Sequence, residues 1–424
     1  MFKHYPISSG VDLYIRPTQQ FKTVTILMQW DREFDNTSAA HRAVLSNVLQ
    51  DSSERYPTYT KYKNKLDELY GSTLITDVSK RENKHRFLLF SETVHERFVR
   101  SENHFAEWLT FLAETIQRPN VKDGKFDEAT VRREKRSIVE RIQSVYDDKD
   151  RYAYRQLIQM MRPNDYVSKS RLGTEELVQA VTPASLAEHY DTMLKEDKLT
   201  IYVVGDIDEQ LIIDTFRPII QQRKYEEIST YTPSVPNVEN VQEKEETNAI
   251  RQGKLNIGYS TPITLHDERF AAMQVANGIL GGFAHSKLFQ NVREKESMAY
   301  TISSSYISQY GLLTISGGID WSEKDKAVRL IDEQIAMMQR GEILDLELEQ
   351  TKALLANSIR SALDTVRGQM VLFDQYKEDY ANFSAQALIE RWNAVTKEEV
   401  IAAIQTLTKE AVFLLKGERE DGEY

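Results

Sequence analysis

Few residues in this chain have the types and spacing that chemistry on a substrate requires. No two of the eight histidines lie three or four residues apart, the spacing that turns two imidazoles toward one zinc ion on a helix. The sequence contains no cysteine and no Gly-x-Ser-x-Gly elbow, which excludes a thiol nucleophile, Cys-ligated metals and that serine motif. Gly278–Gly282 lacks the Lys-Ser/Thr ending of a phosphate loop, so a helix end followed by a turn is expected there.

One segment stands out because it places two hydrogen-bond donors where a helix is expected to lead into a strand. Arg293 and Tyr300 are seven residues apart, where a helix with Leu288, Phe289 and Val292 facing inward is expected to turn into a strand. A guanidinium is a permanent fork-shaped donor, and a phenol donates a hydrogen bond from a rigid ring. From the residues alone, a surface ion pair for Arg293 and a packed strand tyrosine at 300 are the competing interpretations.

The elements that must position such residues form a mixed pattern. Alternating apolar residues predict a strand over Phe21–Trp30, and apolar residues at helical spacing predict a long helix from Asp127 past Tyr146. Further strands are expected at Lys84–Ser91, Lys254–Ser260, Tyr300–Ile307 and Leu312–Gly317, and further helices at His41–Gln50 and Asp325–Arg340. Because strands do not alternate strictly with single helices, an α+β fold is favoured over a doubly wound parallel sheet.

The two halves of the chain end in similar ways, which indicates an internal duplication. Each half closes with a Val-Thr pair, at Val181 and at Val395, whose threonine is placed to cap a helix. Each helix leads to a short apolar strand and then to a glycine, Gly205 or Gly417. The two strands are therefore expected in equivalent positions of two similar domains.

A linker is expected between the halves. Residues 221–249 contain two prolines and many charges but almost no apolar periodicity, so they cannot bury a face. The expected organisation is an N-terminal half over 1–220, a linker over 221–249 and a C-terminal half over 250–424.

Charge and hydropathy exclude some partners. The 54 basic and 65 acidic residues give a formal charge of −11, which argues against a general nucleic-acid binder. No apolar run is long enough for a transmembrane helix, and the first residues lack the apolar stretch of a secretory signal. A cytoplasmic protein with no nucleic-acid or membrane partner is expected.

The segment around Arg293 resembles the C-terminal half-signature of the pitrilysin/insulinase-type zinc peptidases, especially the mitochondrial-processing-peptidase-like branch. The matching run is Ser286-Lys-Leu-Phe-Gln-Asn-Val-Arg-Glu-Lys followed by Ala299-Tyr. The two similar halves match the family, and Phe126–Arg141 resembles the helix that carries the third zinc ligand. The resemblance extends over the whole chain.

The resemblance also shows what this chain has lost. The family's His-x-x-Glu-His motif falls on Ala43, Ser46 and Asn47, so neither histidine ligand nor the glutamate base is present. Glu134 matches the acidic residue seven positions before the third ligand, which places Arg141 at the ligand position itself. An arginine cannot coordinate zinc, and a serine of ordinary pKa cannot replace the glutamate as base. No catalytic residue, metal or other cofactor is therefore expected.

The resemblance implies a bowl-shaped protomer that closes with a second one into a clam-like chamber. In the family, one wall bears zinc, and residues matching Arg293 and Tyr300 hold the peptide from the opposite wall. The favoured interpretation is a non-catalytic subunit in peptide processing that forms a heterodimer with a zinc-bearing homologous subunit, or a homodimer when alone. A binding or scaffold protein with no role in proteolysis is the alternative, and an active hydrolase with a relocated metal site is a third.

Overall fold

Two sheets that share the same order over five strands organise the chain. The computed structural model describes residues 2–220, 224–225, 227–377 and 384–418. Residues 1–143 and 169–231 form a first unit, and residues 144–168 and 232–424 form a second. Each unit has its own hydrophobic core.

The first unit is built on a six-stranded sheet with the order β1-β2-β8-β3-β5-β4. Its strands are β1 Lys3–Ser8, β2 Val11–Pro17, β3 Thr23–Glu33, β4 Thr73–Arg81, β5 Lys84–Val94 and β8 Lys198–Gly205, with a separate hairpin of β6 Val121–Lys122 and β7 Lys125–Phe126. Its helices are α1 Asn36–Val48, α2 Tyr59–Glu68, α3 His104–Gln117, most of α4 Glu128–Asp147, α6 Glu175–Ala180, α7 Pro183–Glu196 and α8 Glu209–Ile220, with a 3₁₀ turn at Glu96–Phe98. Val24, Ile26 and Met28 alternate inward along β3, as predicted.

The second unit has a five-stranded sheet with the order β11-β12-β10-β13-β9. Its strands are β9 Gln242–Asn248, β10 Gly253–Ser260, β11 Ala299–Ile307, β12 Leu312–Ile319 and β13 Thr408–Gly417. Its helices are α5 Lys149–Met161, α9 Phe270–Asn277, α10 Lys324–Gln339, α11 Asp345–Leu363, α12 Val366–Tyr376, α13 Ala385–Ala394 and α14 Lys397–Ile404, with π-helical segments Gly278–Gly282 and Leu288–Lys295 and 3₁₀ turns at Tyr166–Ser168, Ser308–Tyr310 and Trp321–Glu323.

The predicted duplication is confirmed by the two sheets. β8 lies antiparallel to β3 and parallel to β2, and β13 lies antiparallel to β10 and parallel to β9. The strands that end at Gly205 and Gly417 therefore occupy equivalent places. The helices before them begin at capping boxes formed by Thr182 and Thr396, as the Val-Thr pairs predicted. The α+β prediction is likewise confirmed.

The two structural units are not two contiguous halves of the chain, as the sequence had led us to expect. Residues 144–168, which include α5, pack in the second unit, where α5 contacts β10 and β13. Gly258 of β10 makes room for this helix, because a Cβ there would lie 2.1 Å from the sulfur of Met161. The expected linker contains β9, an edge strand, while its residues 221–223 and 226 lie outside the described residues.

A buried ion pair anchors the end of this segment. The Arg162 guanidinium donates two hydrogen bonds to the Glu410 carboxylate of β13, at 2.6 and 2.9 Å. Both side chains are about nineteen-twentieths buried, with exposures of 6% and 5%. Bidentate pairing of this kind is the strong form of the arginine–carboxylate contact.

Across the described ranges, no helix combines the length and apolar character needed to span a bilayer.

Candidate functional site

Helix α1 carries the three positions where the sequence places the lost zinc motif. Asp35 caps the helix by accepting a hydrogen bond from the backbone N–H of Ser38 at 2.8 Å. Ala43 and Ser46 are fully buried, and the Ser46 hydroxyl donates to the carbonyl of Ala43 at 2.8 Å. A hydroxyl bonded back to its own helix has no free geometry for activating water. Asn47 is half-buried and faces a pocket.

Arg141 of α4 stands where the third ligand was expected. Its guanidinium forms an ion pair with Asp77 of β4 at 3.4 Å, and Arg171 reaches the same carboxylate at 3.1 Å. Burial acts to raise the pKa of Asp77, but the backbone N–H of Val78 and the two guanidinium groups hold it below its ordinary value. The residues present do not fit a zinc ion, because they supply cations where a divalent metal needs anionic or neutral donors. Within the described part of the chain, no three metal-ligating side chains converge.

A pocket of about 500 Å³ lies beside these positions. Helices α1, α2 and α4 and the turn after α1 line it with amide, aromatic and charged side chains: Asn47, Gln50, Asp51, Tyr59, Lys63, Arg133 and Glu134. Two residues of the sequence-derived site, Asn47 and Glu134, are therefore brought together. The other pocket residues were missed by sequence reasoning, because three separate helices contribute them.

A buried arginine next to the lost motif was also missed. Arg42 is fully buried and donates to the carbonyls of Trp30 at 3.0 Å and His85 at 2.8 Å, and it forms an ion pair with Asp197. Burial lowers the pKa of the Arg42 guanidinium to about 9. The signal in the sequence was an arginine within a helix that also carries Ala39, Ala40 and Ala43. This pair fixes α1 against the sheet from inside the core.

Arg293 lies on the π-helical segment Leu288–Lys295 of the second unit. Its guanidinium carbon lies 4.5 Å from the centre of the Phe289 ring, a stacked arrangement that holds the side chain without consuming its donors. Phe289 was expected to face inward, but it is half-buried beneath the arginine. The guanidinium also approaches the adjacent Glu294 at 3.6 Å and is 40% exposed.

Tyr300 stands out from the start of β11 because of a β-bulge. Ala299 pairs with Ile319, and Thr301 pairs with the adjacent residue Gly318. Tyr300 is therefore an extra residue inserted between two successive pairs. Bulges re-aim a side chain and occur often beside functional sites. The Tyr300 side chain is 70% exposed, so the packed strand tyrosine considered from the sequence is not what the structure contains.

The glycine-rich stretch Gly278–Gly282 packs closely against β11, the strand that carries Tyr300. It forms the π-helical turn Gly278–Gly282, and a Cβ added at Gly281 would lie 2.6 Å from the backbone nitrogen of Ser304 on β11. Ser297, with a φ of 53°, ends the following π-helical segment and turns the chain into β11. π-Helical turns are rare and frequent at functional sites. Local backbone geometry therefore presents both Arg293 and Tyr300 to solvent.

A duplicated α+β fold, in which the positions expected to hold zinc ligands carry alanine, asparagine and arginine, is that of a peptidase-like protein. The chain belongs to the M16 metallopeptidase family, among its inactive homologues. The family model described as "Peptidase M16 inactive domain" matches residues 180–355. The predicted family is thereby confirmed, whereas its processing-peptidase-like branch stays a prediction.

Three relatives give the measure of this similarity. The chain is 34% identical over 417 residues to the probable inactive metalloprotease YmfF of Bacillus subtilis, covering 96% of both chains. It is 27% identical over 285 residues to the uncharacterized zinc protease YmxG of the same organism, covering 65% of this chain and 67% of the relative. The crystal structure of a conserved protein from Enterococcus faecalis superimposes with a TM-score of 0.93 at 33% identity, covering 99% of this chain and 100% of that one.

Proposed function

We propose that this chain is a non-catalytic subunit that completes the peptide-binding chamber of a zinc-bearing relative. The observation that carries the proposal is the presentation of Arg293 and Tyr300. Arg293 lies on a π-helical segment and Tyr300 at a β-bulge, and these irregular backbone geometries expose both side chains. By contrast, the residues of the expected metal centre cannot bind zinc. A chain that had left peptide handling altogether would have no need of this geometry.

The role assigned to the two residues is positioning. A zinc ion on the partner polarises a scissile carbonyl productively when the peptide is held in register, so hydrogen bonds from the opposite wall affect the rate. The Arg293 guanidinium and the Tyr300 hydroxyl are donors suited to peptide carbonyls. An extended peptide would also add to a free sheet edge, a known mode of peptide recognition.

The partner is proposed to be a homologous chain with an intact zinc motif. Bacillus subtilis carries both a relative named a probable inactive metalloprotease and a relative named a zinc protease, so the two kinds of chain occur in one organism. The complex would be a clam-like heterodimer, with a homodimer of this chain when it is alone. The absence of cysteine fits a reducing compartment, and we place the complex in the cytoplasm.

The test is to mix this chain with a zinc-bearing relative and to measure cleavage of a peptide library. Arg293→Ala is expected to lower kcat/KM about ten- to a hundredfold, the effect of losing a charge-assisted hydrogen bond of about 1.5–3 kcal/mol. Tyr300→Phe is expected to lower it about two- to tenfold, the effect of losing a neutral hydrogen bond of about 0.5–1.5 kcal/mol. Lys295→Ala is the matched control, because it removes a positive charge from the same segment at an exposed position. Its activity should be unchanged.

Two results would replace the proposal. If the two chains never assemble, or if both variants keep full activity in the complex, Arg293 and Tyr300 are structural and the scaffold alternative applies. Cleavage by this chain alone that is abolished by a chelator would instead support a relocated metal site.

A further inference from the structure

The pocket beside the expected zinc motif contains two acidic groups that share one arginine as their ion-pair partner. Arg133 donates to Glu134 at 2.7 Å and forms a close ion pair with Asp51. The Thr130 hydroxyl donates to Asp51 as well, at 3.4 Å. These two carboxylates and one guanidinium form a single cluster with a net formal charge of −1, in which each carboxylate already has a cationic partner.

Lys63 is the charge in this pocket that lacks a carboxylate. Its ammonium lies 5.5 Å from the ring centre of Tyr59 and 6.0 Å from that of Tyr62. In the described portion of the chain, it makes no hydrogen bond or ion pair. Aromatic faces hold an ammonium in place, but they do not satisfy its three N–H donors. The positive charge therefore faces the pocket without a counter-ion.

Two amides complete the donor and acceptor set. The Asn47 side chain has no hydrogen-bond partner among the residues that the structure describes, so its NH₂ group is free to donate. The Gln50 NH₂ group is already used, because it donates to the carbonyls of Ser46 at 2.8 Å and Thr76 at 2.9 Å. Its oxygen remains as an acceptor. Lys63 and Asn47 thus both line the pocket with hydrogen-bond donors, from two different helices.

We propose that this pocket binds a carboxylate of a peptide, with Lys63 as the ion-pair partner and Asn47 as a hydrogen-bond donor. The inference rests on the proposed peptide-binding function and adds a preference to it. The carboxylate has two possible sources, an acidic side chain of the peptide or its free C-terminus. The exposed Tyr59 ring, 58% accessible, gives the flanking peptide an apolar surface on which to pack. Where a zinc peptidase has a metal that acts on a peptide bond, this chain has a site for a charged group.

The experiment measures binding of three short peptides to this chain by isothermal titration calorimetry. The first is acetylated and amidated with one central glutamate, the second replaces that glutamate by glutamine, and the third is the glutamine peptide with a free C-terminal carboxylate. We expect one of the two acidic peptides to bind about tenfold more tightly than the neutral one at low salt, and the tighter acidic peptide identifies the source. High salt should reduce the preference.

Variants then locate the effect. Lys63→Met keeps the apolar stem and should abolish the preference, Lys63→Arg should retain most of it, and Asn47→Ala should reduce it. Lys61→Met is the matched control, because it removes an equal charge from an exposed position on α2 outside the pocket and should change nothing.

Three outcomes overturn the inference. Equal binding of all three peptides leaves peptide recognition standing but excludes a carboxylate site. A preference that survives Lys63→Met places the site elsewhere. Failure of all peptides to bind this chain also overturns the inference, while the cleavage assay of the mixed chains still decides the proposed function separately.

Discussion

Removing the buried Arg162 guanidinium is expected to loosen the segment that the second unit takes from earlier in the chain. Arg162 lies directly after α5, and its partner Glu410 lies on β13, 248 residues later. Leucine at position 162 would fill much of the same space but would leave the Glu410 carboxylate buried without a counter-charge. The perturbation therefore tests how strongly one ion pair holds residues 144–168 on the sheet.

The magnitude follows from the geometry. Two charge-assisted hydrogen bonds at 2.6 and 2.9 Å are lost, and the remaining carboxylate is 5% exposed. Breaking a buried pair in this way costs about 3–5 kcal/mol. The double variant Arg162→Leu/Glu410→Leu removes both charges, so it is expected to recover most of that loss. Arg151→Leu on the same segment is the control, because its ion pair with Asp148 is 76% exposed on the arginine side and contributes at most about 1 kcal/mol.

Two measurements check this prediction. Urea denaturation gives the free energy of unfolding for the wild type, the single variants and the double variant. Hydrogen exchange followed by mass spectrometry reports α5 and β13 separately, and exchange there should accelerate by roughly two to four orders of magnitude in Arg162→Leu. If Arg162→Leu is no less stable than Arg151→Leu, or if the double variant is the least stable of all, the pair is not what anchors the segment.

Three more predictions concern the first unit and the expected metal centre. Arg42→Leu leaves Asp197 buried without Arg42, so urea denaturation should show a free energy of unfolding that is lower by about 3–5 kcal/mol. The double variant Arg42→Leu/Asp197→Leu should largely recover this loss, and an unchanged stability of the single variant would contradict the prediction. Burial lowers the pKa of His85 to about 3 and that of His189 to about 2, whereas both take up a proton near pH 6.5 in the unfolded chain. The contribution of the two histidines to the free energy of unfolding should therefore be fully present above pH 6.5. It should fall as the pH drops from 6.5 toward 3, by up to about 1.4 kcal/mol per pH unit for each histidine. His189→Gln should make this pH dependence shallower, and a free energy of unfolding that does not change between pH 7 and 5 would refute the prediction. Elemental analysis of the purified chain should find no stoichiometric zinc, and one tightly bound zinc per chain would show that the replaced ligands have substitutes.

Local patterns in the sequence were sufficient to predict much of the fold. The strand Thr23–Glu33 and the helix Glu128–Asp147 follow from alternation and helical spacing of apolar residues, which burial on one face directly selects. The duplication was visible because both copies keep the same cap, helix and strand. Arg293 and Tyr300 were found through a motif, not through composition.

Other features could not be predicted because they depend on distant parts of the chain. β9 reads Gln-Glu-Lys-Glu-Glu-Thr-Asn and has no apolar face, yet it pairs with β13 through backbone hydrogen bonds. Glutamates of β9 form ion pairs with lysines on other elements; the Lys416 ammonium, for example, lies 2.8 Å from the Glu245 carboxylate. The bulge that exposes Tyr300 is set by registration against β12, and the pocket around Lys63 is set by the packing of three helices. Neither leaves a periodic signal in the sequence.

The placement of residues 144–168 has a consequence for the order of events on the ribosome. α5 emerges early, but β13, which carries the carboxylate for Arg162, is made 248 residues later. At synthesis rates of about 5–20 residues per second, the delay is roughly 12–50 s. Until β13 joins β10 in the sheet, the apolar side of α5, including the buried Leu157 and Ile158, is only partly covered. A nascent chain of this kind offers a binding site for a chaperone, and a fragment that begins after the linker would lack α5 altogether and leave Glu410 without its arginine.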